Sequence, residues 1–110
     1  MLKSTIFRRK YLAMGPCCIR EEKIWSKVVE DILQRENIQP ITPEHYAVMN
    51  CVRKFYLEQE RAPSVREICD DTGFKLGIFF ALFPDWPHTL FITDSIVSVV
   101  LGLPVWNVEI

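Results

Sequence analysis

The chain has 110 residues, 13 basic against 14 acidic, for a formal net charge of −1. Nearly half of it is apolar, which is enough for one core without disulfide staples, and the near-neutral balance argues against a general nucleic-acid binder. No apolar run is long enough to span a bilayer, and no signal-peptide pattern follows the basic start, so a soluble cytoplasmic protein with mostly reduced cysteines is expected.

The charge is uneven. Lys3, Arg8, Arg9, Lys10 and Arg20 are the charged residues of the first twenty, and all the acids follow them. Residues 1–22 read as an N-terminal arm or a short β-hairpin, with Thr5-Ile6-Phe7 and Tyr11-Leu12-Ala13-Met14 as its strands and Gly15-Pro16 as a turn or strand end.

A helical core is expected over residues 23–104. Ile24, Trp25, Val28, Val29, Ile32 and Leu33 recur at helical spacing, predicting a helix over 24–36 that Asn37 and Pro40 end. Thr42-Pro43 opens the next helix, threonine as N-cap and proline in the first turn, with Tyr46, Val48, Met49, Val52, Phe55 and Tyr56 as its buried stripe to about Gln59. Ser64-Val65-Arg66-Glu67 has the form of a capping box, and Gly73 supplies a left-handed stop. Leu76, Phe79, Phe80 and Phe83 share a helix face that belongs in a core, and Pro84-Asp85-Trp86-Pro87 stops it. Thr89–Leu101 suits a buried helix or a strand by periodicity, and the scarcity of other strands favours the helix. Gly102-Leu103-Pro104 ends it, and residues 105–110 form a tail. The sum is a single mainly α domain, a small orthogonal bundle of four to five helices with a helix-turn-helix-like centre.

Six motifs occur in order: Trp25 and its helix, Ile41-Thr42-Pro43-Glu44-His45-Tyr46, Val52-Arg53-Lys54-Phe55-Tyr56, Ala62-Pro63-Ser64-Val65-Arg66-Glu67-Ile68, Leu82-Phe83-Pro84-Asp85-Trp86-Pro87 and Gly102-Leu103-Pro104. Together they resemble the DsrC/TusE family. The resemblance implies a small helical fold with a short hairpin, acting as a protein substrate and not an enzyme. Members work with siroheme-dependent dissimilatory sulfite reductase or accept persulfide sulfur in the relay that thiolates tRNA. The family's carrier cysteine is next to last, where this chain has Glu109; the second family cysteine, counted back from there, falls on Ser98 and, counted forward from the Phe83-Pro84 turn, on Ile92. Trp86 stands for the family's turn glycine, and Tyr46 for its tryptophan. Sulfur transfer needs a thiolate, which neither a carboxylate nor a hydroxyl replaces.

The reading that follows is an accessory protein that docks on a sulfite reductase or sulfurtransferase complex and regulates or occupies that dock, with no cofactor of its own. Arg53, Arg66, Trp86 and Trp106 are the partner-binding candidates. Arg53 and Arg66 equally suit structural pairing with Glu67, Glu44 or Asp70, and Trp86 equally suits a core plug.

The alternative is an active carrier through Cys17 or Cys18. These two also read as ordinary cysteines, one buried and one exposed, while Cys51 and Cys69 fall on apolar helix faces. A DNA-binding regulator is the third reading, weakened because the recognition helix, after Lys75, is almost wholly apolar. His45 reads as a packing or capping residue. With His88 as the other histidine and no finger-like cysteine spacing, no metal site is expected.

Overall fold

The computed structural model describes residue 11 and residues 13–103. The described residues form six helices and no strand: α1 Cys17–Arg20, α2 Glu22–Arg35, α3 Pro43–Gln59, α4 Val65–Thr72, α5 Leu76–Leu82 and α6 Trp86–Leu101. The mainly helical expectation is met, with one helix more than the largest number foreseen. That helix, α1, lies where a hairpin was expected. Thr5–Phe7 falls outside the described residues, but Tyr11, Ala13 and Met14 are helical. Leucine, alanine and methionine are strong helix formers, so the local preference opposes a strand at this point.

The chain breaks between α1 and α2 at Glu21, whose ψ of 117° leaves the helical region. α2 buries Trp25, Val28, Val29, Ile32 and Leu33, one stripe at helical spacing. α3 begins as its sequence dictates: Thr42 is extended, Pro43 occupies the first turn, and the buried side chains are His45, Val48, Met49, Cys51, Val52 and Tyr56. Tyr46 and Phe55, expected in the stripe, are half-buried and pack at its margin. α4 carries the reciprocal cap foreseen for it. Glu67 N donates to Ser64 Oγ at 3.1 Å and Ser64 N donates to Glu67 Oε1 at 2.9 Å. Gly73 ends it with φ of 80°, a left-handed conformation that glycine adopts without a Cβ clash.

α5 departs from expectation. Phe79 and Phe83 are buried, but Leu76, Ile78 and Phe80 stand on the surface. Trp86, Phe79 and Phe83 form an aromatic cluster with centroids 5.1 to 5.7 Å apart, and His45 packs edge-on against Phe83 at 5.2 Å.

The ambiguous segment is helical, and α6 starts three residues before Thr89 because Pro87 fits a first helical turn. Its buried face includes Thr89 and Thr93, whose hydroxyls donate to the carbonyls of Asp85 at 3.1 Å and Thr89 at 2.8 Å. Those bonds let polar residues lie inside without unsatisfied atoms. α6 ends in a Schellman arrangement: Leu103 N donates to Ser98 O at 2.8 Å and Gly102 N to Val99 O at 3.2 Å, with Gly102 at φ 73°.

α2 packs on α1, α3 and α6, α3 on α4, and α4 on α5. Trp25, Ile32, Leu33, Met49, Val52, Ile68, Phe79 and Ile96 are among the fully buried residues of one core cluster. Among the described residues no helix is long and apolar enough to cross a membrane.

Candidate functional site

Sulfur chemistry requires an accessible thiolate, so the cysteines come first. Cys17 is exposed and Cys18 is fully buried on the same short helix, the one-in, one-out arrangement of ordinary neighbours. Burial pushes the Cys18 thiol up, opposite to what a persulfide carrier needs. Cys51 is buried in α3; desolvation, and then its hydrogen bond to Asp71, push its thiol up to about 12. Cys69 is half-buried and packs against the core.

Ser98, one of the positions matched to a family cysteine, is 1% exposed. Its Oγ donates to Asp94 Oδ1 at 2.6 Å, and the Tyr56 hydroxyl donates to the same oxygen. Desolvation first, then the Asp94 carboxylate, push the Tyr56 hydroxyl pKa up. Ser98 thus belongs to an interior hydrogen-bond network joining α3 to α6. Glu109 and Trp106 lie outside the described residues.

Arg53 lines an open groove of about 530 Å³ with Arg20, Asn50, Cys51, Lys54 and Asp71. Its Nη1 lies 3.5 Å from Ile19 O, at the end of α1, and its guanidinium sits 6.0 Å from the Trp25 ring. Trp25 Nε1 in turn donates to Asn50 Oδ1 at 3.0 Å. Lys54 pairs with Asp71 across the groove at 2.5 Å; this hydrogen bond, and then that of Cys51, hold the Asp71 carboxyl below its usual range. The groove is therefore a charged surface with its cations and acids interleaved.

The other two described candidates do not join it. Arg66 is exposed and makes no hydrogen bond or ion pair among the described residues. The structural pairing expected for it goes to Arg61, whose guanidinium binds Glu67 through two bonds of 2.7 and 2.8 Å. Trp86 is 3% exposed. It is a core plug in the aromatic cluster and not an exposed anchor, because α6 begins at this residue and turns the ring inward.

His45 explains a family motif in structural terms. Its Nδ1 accepts from Thr42 N at 3.0 Å and lies 2.8 Å from Thr42 Oγ1, closing a capping box, while Nε2 reaches Leu82 O at 3.1 Å. One ring therefore ties the start of α3 to the end of α5.

Sequence reasoning did not anticipate a cluster at the start of α6. Glu36, Asp85 and His88 bring one donor atom each within 4.8 Å of one another, a set that can hold a cation. His88 Nδ1 lies 2.7 Å from Glu36 Oε2, and Thr89 Oγ1 donates to Glu36 Oε1 at 2.8 Å. The pairing clamps the end of α2 to the first turn of α6.

The described DNA-reader geometry is unfavourable. α5, placed where a recognition helix follows the Gly73 turn, exposes Leu76, Ile78 and Phe80, side chains that cannot hydrogen-bond base edges.

The motifs singled out in the sequence thus serve as caps, turns and core contacts of a small helical domain. A family model described as "DsrC like protein" matches residues 17–90, and the chain belongs to that family. The match stops short of Gly102-Leu103-Pro104.

The chain is 36% identical over 59 residues to "Sulfite reductase, dissimilatory-type subunit gamma" of Nitratidesulfovibrio vulgaris, covering 54% of this chain and 56% of that protein. It is 32% identical over 71 residues to "Sulfurtransferase TusE" of Buchnera aphidicola, covering 57% and 61%, and 28% identical over 76 residues to "Sulfurtransferase TusE" of Escherichia coli, covering 63% and 70%. The matched region is thus less than two thirds of the length of the first two relatives. No solved structure matches.

Proposed function

We propose that the chain acts as a non-catalytic accessory protein that docks on a sulfite reductase or sulfurtransferase complex and regulates or occupies that dock without carrying sulfur itself. The relatives named as a sulfite reductase gamma subunit and as sulfurtransferases supply the class of partner.

The observation that carries the reading is the state of the thiols. Of the four cysteines, Cys18 and Cys51 are buried with raised pKa values and Cys69 is half-buried, which leaves Cys17 as the exposed one. A thiol that stays protonated and buried neither attacks a persulfide donor nor passes sulfur on. The scaffold meanwhile retains Arg53 on an open charged groove, a surface through which a protein partner can be held.

Two measurements test this. Co-purification of the tagged chain with a purified sulfite reductase or sulfurtransferase assembly is expected to show a complex; its absence with both refutes docking. Incubation with a persulfide donor followed by mass spectrometry is expected to leave all four cysteines without added sulfur. A persulfide on Cys17 establishes instead a carrier that uses its exposed thiol.

A further inference from the structure

The geometry points to a specific docking face, built from α5 and the first turns of α6, that takes an apolar, uncharged segment of the partner protein. This inference rests on the docking reading above and locates its contact. Soluble domains seldom leave several large apolar side chains side by side in water. Here Leu76 and Phe80, four apart on one face of α5, are 56% and 43% exposed, and Phe91 of α6 is 58% exposed. α5 has seven residues and no charge among them.

Phe80 also forms part of an apolar groove of about 380 Å³ whose other apolar residues are Ala62, Pro63, Val65, Trp86, Pro87 and Leu90. Pro87 and Phe91 are four apart on α6 and share a face, so Phe91 extends the groove outward. Trp86 and Leu90, 3% and 5% exposed, make a rigid floor because the core holds them.

The chemistry of the occupant follows from the charges. Arg61 and Glu67 are the charged residues lining this groove, and each satisfies the other through two bonds of 2.7 and 2.8 Å. The groove thus offers a partner no unpaired charge, and one or two large aliphatic or aromatic side chains fill it. This contrasts with the Arg53 groove, lined by Arg20, Glu22, Arg53, Lys54, Glu58 and Asp71.

Size decides against a second copy of the chain. A stable dimer face engages about 20–30 residues a side, whereas this band consists of three exposed apolar side chains beside one groove. It matches a single inserted segment, such as a helix edge carrying apolar residues three or four apart.

The test measures affinity of the full chain for the purified sulfite reductase and sulfurtransferase assemblies at low and at high salt. Phe80→Glu and Phe91→Glu are each expected to weaken binding by at least about tenfold, as removal of an interface anchor does. Lys27→Ala, exposed on α2 and lining neither groove, leaves it within about threefold, and the phenylalanine losses are alike at low and at high salt. Helicity is checked by circular dichroism, and Leu76→Glu, at a site 56% exposed, stands in for either variant that misfolds.

Wild-type chain that binds neither assembly removes the docking reading and this one together. Wild-type chain that binds while the phenylalanine variants bind equally well, or lose affinity at low salt alone, overturns this face alone. A wild-type dimer that the same variants convert to monomer assigns the face to a second copy and likewise overturns the proposal.

Discussion

Replacing His45 separates a structural histidine from a chemical one. The side chain is 5% exposed and makes three kinds of contact. Nδ1 accepts the Thr42 backbone N–H at 3.0 Å, Nε2 lies 3.1 Å from Leu82 O, and the ring meets Phe83 edge-on at 5.2 Å. With Nδ1 accepting, the neutral ring carries its proton on Nε2 and donates to Leu82 O. A helix cap contributes about 1 kcal/mol. A net intramolecular hydrogen bond contributes about 1 kcal/mol more, and an edge-on aromatic contact roughly 0.5–1.5 kcal/mol.

His45→Ala is therefore expected to cost about 2–3 kcal/mol, because the three terms belong to one residue and partly overlap. For a chain of this size that is a fall in Tm of roughly 10 °C. His45→Gln keeps an oxygen for Thr42 N, as in the common Thr-x-x-Gln cap, and loses the ring, so about half the stability returns. Urea unfolding followed by circular dichroism reads both. If His45→Ala stays within about 0.5 kcal/mol of wild type, the capping account is wrong. If glutamine is as damaging as alanine, the cap contributes nothing and the ring packing accounts for all of it.

Three further outcomes are expected. Tyr56→Phe removes a hydroxyl donor to buried Asp94 and leaves that of Ser98 at 2.6 Å, so equilibrium unfolding should show a loss of roughly 1.5–3 kcal/mol. Alkylation of the folded chain followed by peptide mass spectrometry should modify Cys17 quickly, and Cys18 and Cys51 only on unfolding; rapid labelling of Cys51 contradicts its thiol being pushed up to about 12. The hydrogen bonds of Arg61, followed by the Ser64 N–H, hold Glu67 at about 2 against an ordinary 4.5. A depressed carboxylate contributes stability above its unfolded value that is lost as pH falls through the folded one. The urea midpoint should thus decline between pH 4.5 and about 2, less steeply in Glu67→Gln.

The parts of the fold that were legible in the sequence are those set by local chemistry. Thr42-Pro43, the Ser64–Glu67 box, Gly73 and Gly102 act within a few residues, and each forms the cap or stop its residue type favours. The start of α6 was also locally encoded, since a proline in a first helical turn is a start signal as well as a stop for what precedes it. Two features were not legible. Periodicity shows which residues can share a face, but not whether another element exists to cover it, and so Leu76 and Phe80 were expected inside and lie outside. The Glu36–His88 contact joins residues 52 apart and needs the tertiary fold to bring them together. The charged groove stands between these cases: Arg53 was singled out from its motif and shares α3 with Cys51 and Lys54, while Asp71 became their neighbour through the packing of α4 on α3.

The recurring family motifs turn out to be instructions for folding. Trp25 donates to Asn50, His45 closes a cap, Glu67 serves both Ser64 and Arg61, and Gly102 with Leu103 forms the Schellman end of α6. None of these groups can hold sulfane sulfur, so a sequence can keep every one of them while the carrier chemistry is gained or lost separately. The match therefore transmits the scaffold with high fidelity and the reaction only through cysteines, which here are buried in two positions and half-buried in a third. Function at such a scaffold is decided by what remains on its surface: one exposed thiol at Cys17, one charged groove around Arg53, and one apolar band from Leu76 to Phe91. A carrier would require the first, whereas a docking protein needs only the other two.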